Sequence, residues 1–282
     1  MSITLDYAVP GAGAAEVFTL FYHFRADVPR FEDTERADHA QLRFRLSPGG
    51  ATYHFADGSM QEAPAHHVVG PTSGAMRVVA EGPVHVFGAG ITPSGWAAIT
   101  GASASAFLNR IVDAHELLGH AIDDAAEALM RADGTPQMVD IVEAMIAGLT
   151  TRARRQSSFV AQVDAWLADS PSPEVDDLVA ATGLSRRQIE RRCNALYGAP
   201  PKLLARKYRA LKAAVALAAH QADAGALIDR GFYDQSHFIR EVKQFTGLTP
   251  VQLREQPNLL AQLTIAGRHG LTGQVNPIIS ET

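Results

Sequence analysis

Four arginines, Arg186, Arg187, Arg191 and Arg192, fall within seven residues, with Glu190 among them. Directly before them stands Gly183-Leu184-Ser185, a turn followed by a residue suited to capping a helix. On that helix Arg187 and Arg191 lie one turn apart, so both guanidinium forks can enter one major groove and bond guanine O6 and N7 in pairs. Glu190 either accepts a hydrogen bond from a cytosine amino group or orients a neighbouring arginine. A second polar set, Gln235, Ser236, His237, Arg240 and Lys243, lies away from an apolar stripe of Phe238, Val242 and Phe245. Both sets suit hydrogen bonding to bases and phosphates rather than bond making. Arg187, Glu190, Arg191, Ser236, His237 and Arg240 are the candidate base contacts; Ser185, Arg186, Lys202, Gln235 and Lys243 are the candidate phosphate contacts. His237 has an alternative role, bonding the adjacent turn.

Other reactive types do not assemble into a catalytic pattern. His54, His66, His67 and His85 lack an alternating His-x-His with a placed carboxylate, and adjacent His66 and His67 would point to opposite faces of a strand. His115, Glu116 and His120 can share a helical face but show no third ligand, so no metal and no cofactor are expected. Cys193 is the single cysteine and reads as core rather than as a redox switch. No Gly-x-Ser-x-Gly elbow, phosphate-binding glycine loop or paired-cysteine zinc motif is present. The chain is not expected to be an enzyme. The competing reading is an enzyme or metal-binding barrel with a DNA-binding module attached.

The elements that must position the two polar sets are legible nearby. Glu174 to Arg192 reads as helix, turn, helix: Gly183 makes the turn, Ser185 caps, and Ile189, Cys193 and Leu196 form the inward stripe. Asp234 or Ser236 caps the second candidate recognition helix, which Gly247 and Pro250 end, and Ala222 to Asp229 precedes it as its scaffold helix. Pro200-Pro201 opens a helix over Lys202 to Ala219. Its eighteen residues span about 27 Å, suited to holding two recognition helices roughly one DNA turn, about 34 Å, apart. The basic side chains Lys202, Arg206, Lys207, Arg209 and Lys212 spread over several of its faces.

The spelling Asp234-Gln235-Ser236-His237-Phe238, then Arg240, Lys243, Phe245, Gly247 and Thr249-Pro250, closely resembles the second helix-turn-helix of the AraC family of bacterial transcription regulators. The resemblance runs to about Arg254. It departs from the family at Arg192 and Cys193, where apolar residues, with an aromatic at the second, are more usual. It implies two recognition helices reading adjacent major-groove segments of double-stranded DNA, joined to a cupin-like domain that binds a small-molecule effector, dimerises, or does both. RNA polymerase is a further partner the resemblance allows, and the chain would be a monomer or homodimer.

The first half supports that architecture. Short apolar runs broken by Gly and Pro, at Val17 to Phe24, Leu42 to Leu46, Ala51 to Phe55, Met76 to Ala80 and Val84 to Phe87, predict strands of a small barrel or sandwich. Leu42-Arg43-Phe44-Arg45-Leu46 alternates, with two arginines on one face, and Pro48-Gly49-Gly50 suggests a hairpin into Ala51. Helical text follows at Ser103 to Val112, Ala121 to Arg131, Pro136 to Leu149 and Arg155 to Ala168. The stripe Met138, Ile141, Val142, Met145 and Leu149 either packs on the barrel or forms a dimer face.

The 282 residues, 46% hydrophobic, suffice for two cores. Net charge is -5, with 11 basic against 18 acidic residues in 1–159 and 13 against 11 in 160–255. The second half alone is basic, and weakly so; any DNA contact rests on patches. No apolar run could span a bilayer and no leader peptide is evident, so a soluble, cytoplasmic protein without membrane contact is expected. The reading is an α+β chain of two domains: residues 1–153, a β-rich, cupin-like barrel with flanking helices; residues 154–256, an all-α domain of two helix-turn-helix units joined by a long helix; and a tail, 257–282. Arg152, Arg154 and Arg155 mark the boundary.

Overall fold

The structure, a computed structural model, describes residues 2–147, 153 and 155–282. The expected strands form, as parts of two antiparallel sheets. One has six strands in the order β1 (Ile3–Ala8), β2 (Phe18–Ala26), β9 (Val84–Ile91), β4 (Gln41–Arg45), β7 (His66–Val69) and β10 (Ile111–Asp113). The other has four, in the order β3 (Arg30–Glu35), β8 (Met76–Glu81), β5 (Ala51–His54) and β6 (Met60–Ala63). The region is a two-sheet β structure followed by a helical region, the α+β order anticipated.

Alternation along the strands divides the core. Phe21, Phe44 and Phe87 point to the side covered by helices, where Phe21 and Phe87 stack at 5.8 Å. Phe24, Phe31, Tyr53, Val78 and Val84 gather on the other side. The arginine face of β4 is also buried: Arg43 and Arg45 are 6% and 7% exposed. Arg43 donates to both carboxylate oxygens of Glu35 and to Tyr53 Oη, which satisfies its guanidinium away from water.

The Pro48-Gly49-Gly50 segment is not a hairpin. β4 pairs with β9 and β7, whereas β5 pairs with β6 and β8, so this segment carries the chain from one sheet to the other. Arg45 holds it by donating to the carbonyls of Pro48 and Gly50. Ser103 to Val112 is likewise not one helix. It is a short 3-10 turn, Ala104–Phe107, followed by β10, because Asn109 adopts a left-handed backbone (φ 56°) and bonds Asp57 and Ser73.

Four helices cover the six-stranded sheet: α1 (Pro93–Thr100), α2 (Ala114–Leu118), α3 (Ala121–Met130) and α4 (Thr135–Ile146). Met138, Val142 and Ile146 of α4 are buried in this core, so the stripe packs inward instead of offering a dimer face. Leu149, Gly148, Arg152 and Arg154, and with them the proposed boundary, lie outside the described residues.

The helical half runs α5 (Ser157–Asp169), α6 (Val175–Thr182), α7 (Arg186–Tyr197), α8 (Pro201–Ala218), α9 (Ala224–Gly231), α10 (Gln235–Thr246), α11 (Pro250–Glu255), α12 (Leu259–His269) and α13 (Pro277–Ser280). The tail folds back onto the body. α12 packs on β1 and β3, Asn258 bonds Asp33 and Thr34, and Ile278 and Ile279 are buried beside α5. No helix of the described residues is long and apolar enough to cross a membrane.

Candidate nucleic-acid interface

The first unit is set by local chemistry. α6 ends at Gly183, whose left-handed backbone (φ 65°) reverses the chain at little cost because it lacks a Cβ. Ser185 then starts α7 with a capping box: its hydroxyl accepts from the Gln188 amide, and the Gln188 side chain accepts from the Ser185 amide. Ile189, Cys193 and Leu196 are buried on the inner face, packed with Phe159, Val163 and Leu178. Burial raises the Cys193 thiol to about 12, which leaves it protonated and inert near neutral pH. Arg192 does not face outward with its neighbours; its guanidinium lies over the Phe159 ring at 4.1 Å. That contact accommodates a charged residue where the AraC pattern favours an apolar one.

Opposite the stripe, Arg187, Glu190 and Arg191 are exposed, and among the described residues their side chains make no hydrogen bond or ion pair. Arg186 pairs with Asp176 of α6, and the Ser185 hydroxyl is engaged in the cap. These two therefore sit at the helix start already committed to partners within the protein.

The second unit repeats the design. Asp234 caps α10 by accepting from the His237 amide at 2.7 Å, Phe238, Val242 and Phe245 are buried, and Gly247 (φ 79°) closes the helix. Gln235, Ser236, Arg240 and Lys243 are exposed with no side-chain partner among the described residues. His237 is placed differently. Its Nδ1 accepts from the Tyr233 amide at 3.3 Å, so the proton resides on Nε2, which reaches Glu241 Oε1 at 3.0 Å. Both ring nitrogens are occupied by the turn and by Glu241, the arrangement anticipated by the alternative role for this residue.

Glu241 was not singled out by the sequence. It is 1% exposed, on the inner face of α10, and takes Arg206 Nε at 2.5 Å and Arg209 Nη2 at 2.7 Å, both from α8. Burial works to raise its carboxyl, but the Arg206 and Arg209 hydrogen bonds outweigh it and the group is held below the usual range. This cluster fixes recognition helix to spacer helix. The signal that could have revealed it is the i, i+4 pair His237 and Glu241, joined to Arg206 and Arg209 one turn apart.

The spacer's basic residues thus divide. Lys202 is exposed. Lys212 Nζ donates to the carbonyls of Leu167 and Ala168 at 2.7 and 2.6 Å, capping the C-terminus of α5. Lys207 is buried, donates to the Asp38 carbonyl at 3.0 Å, and is lowered to about 8 by burial. Neither lysine is available to a phosphate.

The first half grips this domain. The Ala37 and Ala75 amides donate to the Phe245 and Gln244 carbonyls at 2.7 and 2.8 Å, satisfying the C-terminal end of α10. Tyr208 Oη bonds His39 Nε2 at 2.7 Å, and α1 with the Ala104–Phe107 turn packs on α7. Asp38 joins three regions: Arg268 of α12 bonds its carboxylate, Lys207 its carbonyl, and Thr72 Oγ1 accepts from its amide.

Between the sheets, α8 and α12 lies a cavity of about 120 Å³. Its walls are largely apolar, including Phe24, Phe31, Val78, Leu211, Leu253 and Leu260. The three guanidinium nitrogens of Arg36, on its wall, are buried without a hydrogen bond, the nearest carboxylate oxygen being Asp38 Oδ2 at 3.7 Å. His54, His66, His67 and His85 do not converge. Burial lowers His67 to about 3, consistent with a neutral ring bonded to Tyr53 and the Pro64 carbonyl.

A helix-turn-helix domain family matches residues 178–256, from within α6 to the end of α11. No curated protein sequence matches the chain. Solved structures to which the chain is similar include apo ToxT from Vibrio cholerae, with 9% identity over 89% of this chain and 96% of that one (TM-score 0.44). Unsaturated fatty acid-bound ToxT from the same organism gives 9%, 88%, 92% and 0.43, and the AraC-like transcriptional activator CuxR gives 11%, 67%, 79% and 0.33. With its two capped recognition helices inside the matched span, the chain carries a helix-turn-helix domain and is a DNA-binding transcription regulator.

Proposed function

We propose that α7 and α10 enter two adjacent major-groove segments of double-stranded DNA. Arg187, Glu190, Arg191, Ser236 and Arg240 face base edges, while Lys202, Gln235 and Lys243 meet phosphates, with Ser185 and Arg186 reaching the backbone from the start of α7. The observation that carries this reading is the pairing of two helices whose inner faces are fixed by buried apolar stripes and whose outer faces hold exposed, unbonded polar side chains. His237 acts as a positioning residue that holds the turn before α10 and orients Glu241.

The first half, residues 1–153, senses. Its cavity suits an apolar molecule carrying an anionic group, because the walls are apolar and Arg36 offers donors that no protein group satisfies. The cavity touches both α8 and α12, so an occupant contacts the DNA-binding half directly. No catalytic role is assigned: the cavity wall holds arginines, carboxylates and tyrosines bonded to one another, and the single thiol is buried in the first recognition helix. Regulation of transcription places the protein in the cytoplasm, acting as monomer or homodimer, with RNA polymerase a partner at the promoter.

Arg240→Ala tests the assignment, because the Arg240 side chain is exposed and has no hydrogen-bond or ion-pair partner among the described residues. Fluorescence anisotropy on a selected site is expected to show a loss of about 1 to 3 kcal/mol, with specificity relaxed at one base position. Unchanged affinity and specificity would remove Arg240 from the readout.

A further inference from the structure

We propose that His115, His120 and Asp123 form a binding site for a divalent first-row transition metal, zinc or nickel by the chemistry of its donors. His115 lies in the first turn of α2, His120 stands at the N-cap position of α3 without a side-chain capping bond, and Asp123 lies in the first turn of α3. Gly119, between the two helices, has a positive φ of 62°, and the turn it makes brings side chains eight positions apart together. The sequence offered two histidines without a third ligand; the fold supplies Asp123.

The three donor atoms lie close enough together to share one ion. Asp123 Oδ2 lies 3.3 Å from His115 Nε2 and 3.3 Å from His120 Nδ1, and the three donor atoms fall within 4.8 Å of one another. Tetrahedral zinc with bonds of about 2.0 to 2.2 Å sets neighbouring ligand atoms about 3.3 to 3.5 Å apart. Without an ion the His120 and Asp123 side chains share a hydrogen bond at 3.3 Å, a contact an arriving cation replaces. The imidazoles meet nearly edge to face, at 78°, instead of stacking.

Charge favours a cation there. Residues 111–130 hold Asp113, Glu116, Asp123, Asp124 and Glu127 and no lysine or arginine. The three ligand side chains are 47%, 90% and 53% exposed, so a hydrated ion can reach them and keep water at its remaining position. Two imidazoles with one carboxylate select zinc or nickel over magnesium or calcium, which require oxygen donors. Occupancy ties α2 to α3. α2 packs on α1, and α1 on the recognition helix α7, so the ion braces the corner of the first half that touches the DNA-binding domain.

The test is isothermal titration calorimetry of the full chain, purified without a polyhistidine tag, with zinc chloride and with nickel chloride near neutral pH. One equivalent per chain is expected to bind, with affinity falling at least about tenfold in both His115→Ala and Asp123→Asn and unchanged in His269→Ala. Circular dichroism of these surface variants, matching that of the parent, separates lost ligation from lost fold. No saturable binding of either ion, or binding that survives both substitutions undiminished, would overturn the site.

Discussion

Replacing Glu241 with alanine is expected to lower the unfolding free energy by about 3 kcal/mol and to weaken DNA binding through α10 without removing any DNA-facing group. The carboxylate is almost wholly buried and receives Arg206, Arg209 and His237. Its removal leaves Arg209, 15% exposed at its side chain, with no countercharge, and frees His237 from the orientation that supports the turn at Tyr233. Deleting one partner of a buried ion pair commonly costs about 3 to 5 kcal/mol. Arg206 is 44% exposed and can rehydrate, which places the expected value at the lower end. The pH dependence has a definite sign: the folded carboxyl lies below its free value of 4.5, so its contribution is complete above that value and is lost as acid protonates it in the folded state. Urea denaturation would measure the loss. A change below about 1 kcal/mol would show that the cluster does not fix the helix.

Asp38→Ala is expected to be at least as costly, about 3 to 5 kcal/mol. Burial opposes ionisation of this carboxyl, yet Arg268 and Arg36 hold it well below the usual carboxylate range. Without it, Arg268 loses its carboxylate partner while 8% exposed, and Arg36, already unbonded at three nitrogens, loses its nearest negative charge. Gln41 and the His39 amide lose an acceptor as well. Because Arg268 belongs to α12, the substitution should also release the tail from β1 and β3, which limited proteolysis would register as cleavage near residues 257–270. Asp38 is depressed in the folded protein, so its stabilisation is present above its free value of 3.8 and fades in stronger acid. A tail that remained protected in Asp38→Ala would refute the role given to this pair.

The two helix-turn-helix units were legible because their determinants are local. Gly183, Ser185, Asp234 and Gly247 occupy the turn and cap positions their chemistry suits, and the stripes through Ile189 and Phe238 repeat at helical spacing. Strands were legible where they are apolar, as in β2 and β9. β3, Arg30-Phe31-Glu32-Asp33-Thr34-Glu35, was not, because its polar side chains serve an edge strand and the tail that docks on it. Pairing across the chain was beyond local reading. Nothing near Lys207 indicates that it points at a carbonyl 169 positions away, or near Glu241 that two arginines of α8 meet it. Likewise the third potential metal ligand, Asp123, becomes visible only once Gly119 has turned the chain.

In the proposed reading the chain engages DNA with two recognition helices at once. The most direct measurement is selection of bound sequences from a random double-stranded DNA pool, followed by titration of salt on the selected site. Enrichment of a bipartite site is expected, its two segments about one helical turn, roughly 10 base pairs, apart, with affinity falling steeply as salt rises. A pool that emerges unenriched, or a single short segment bound equally well when the other half is scrambled, would contradict it.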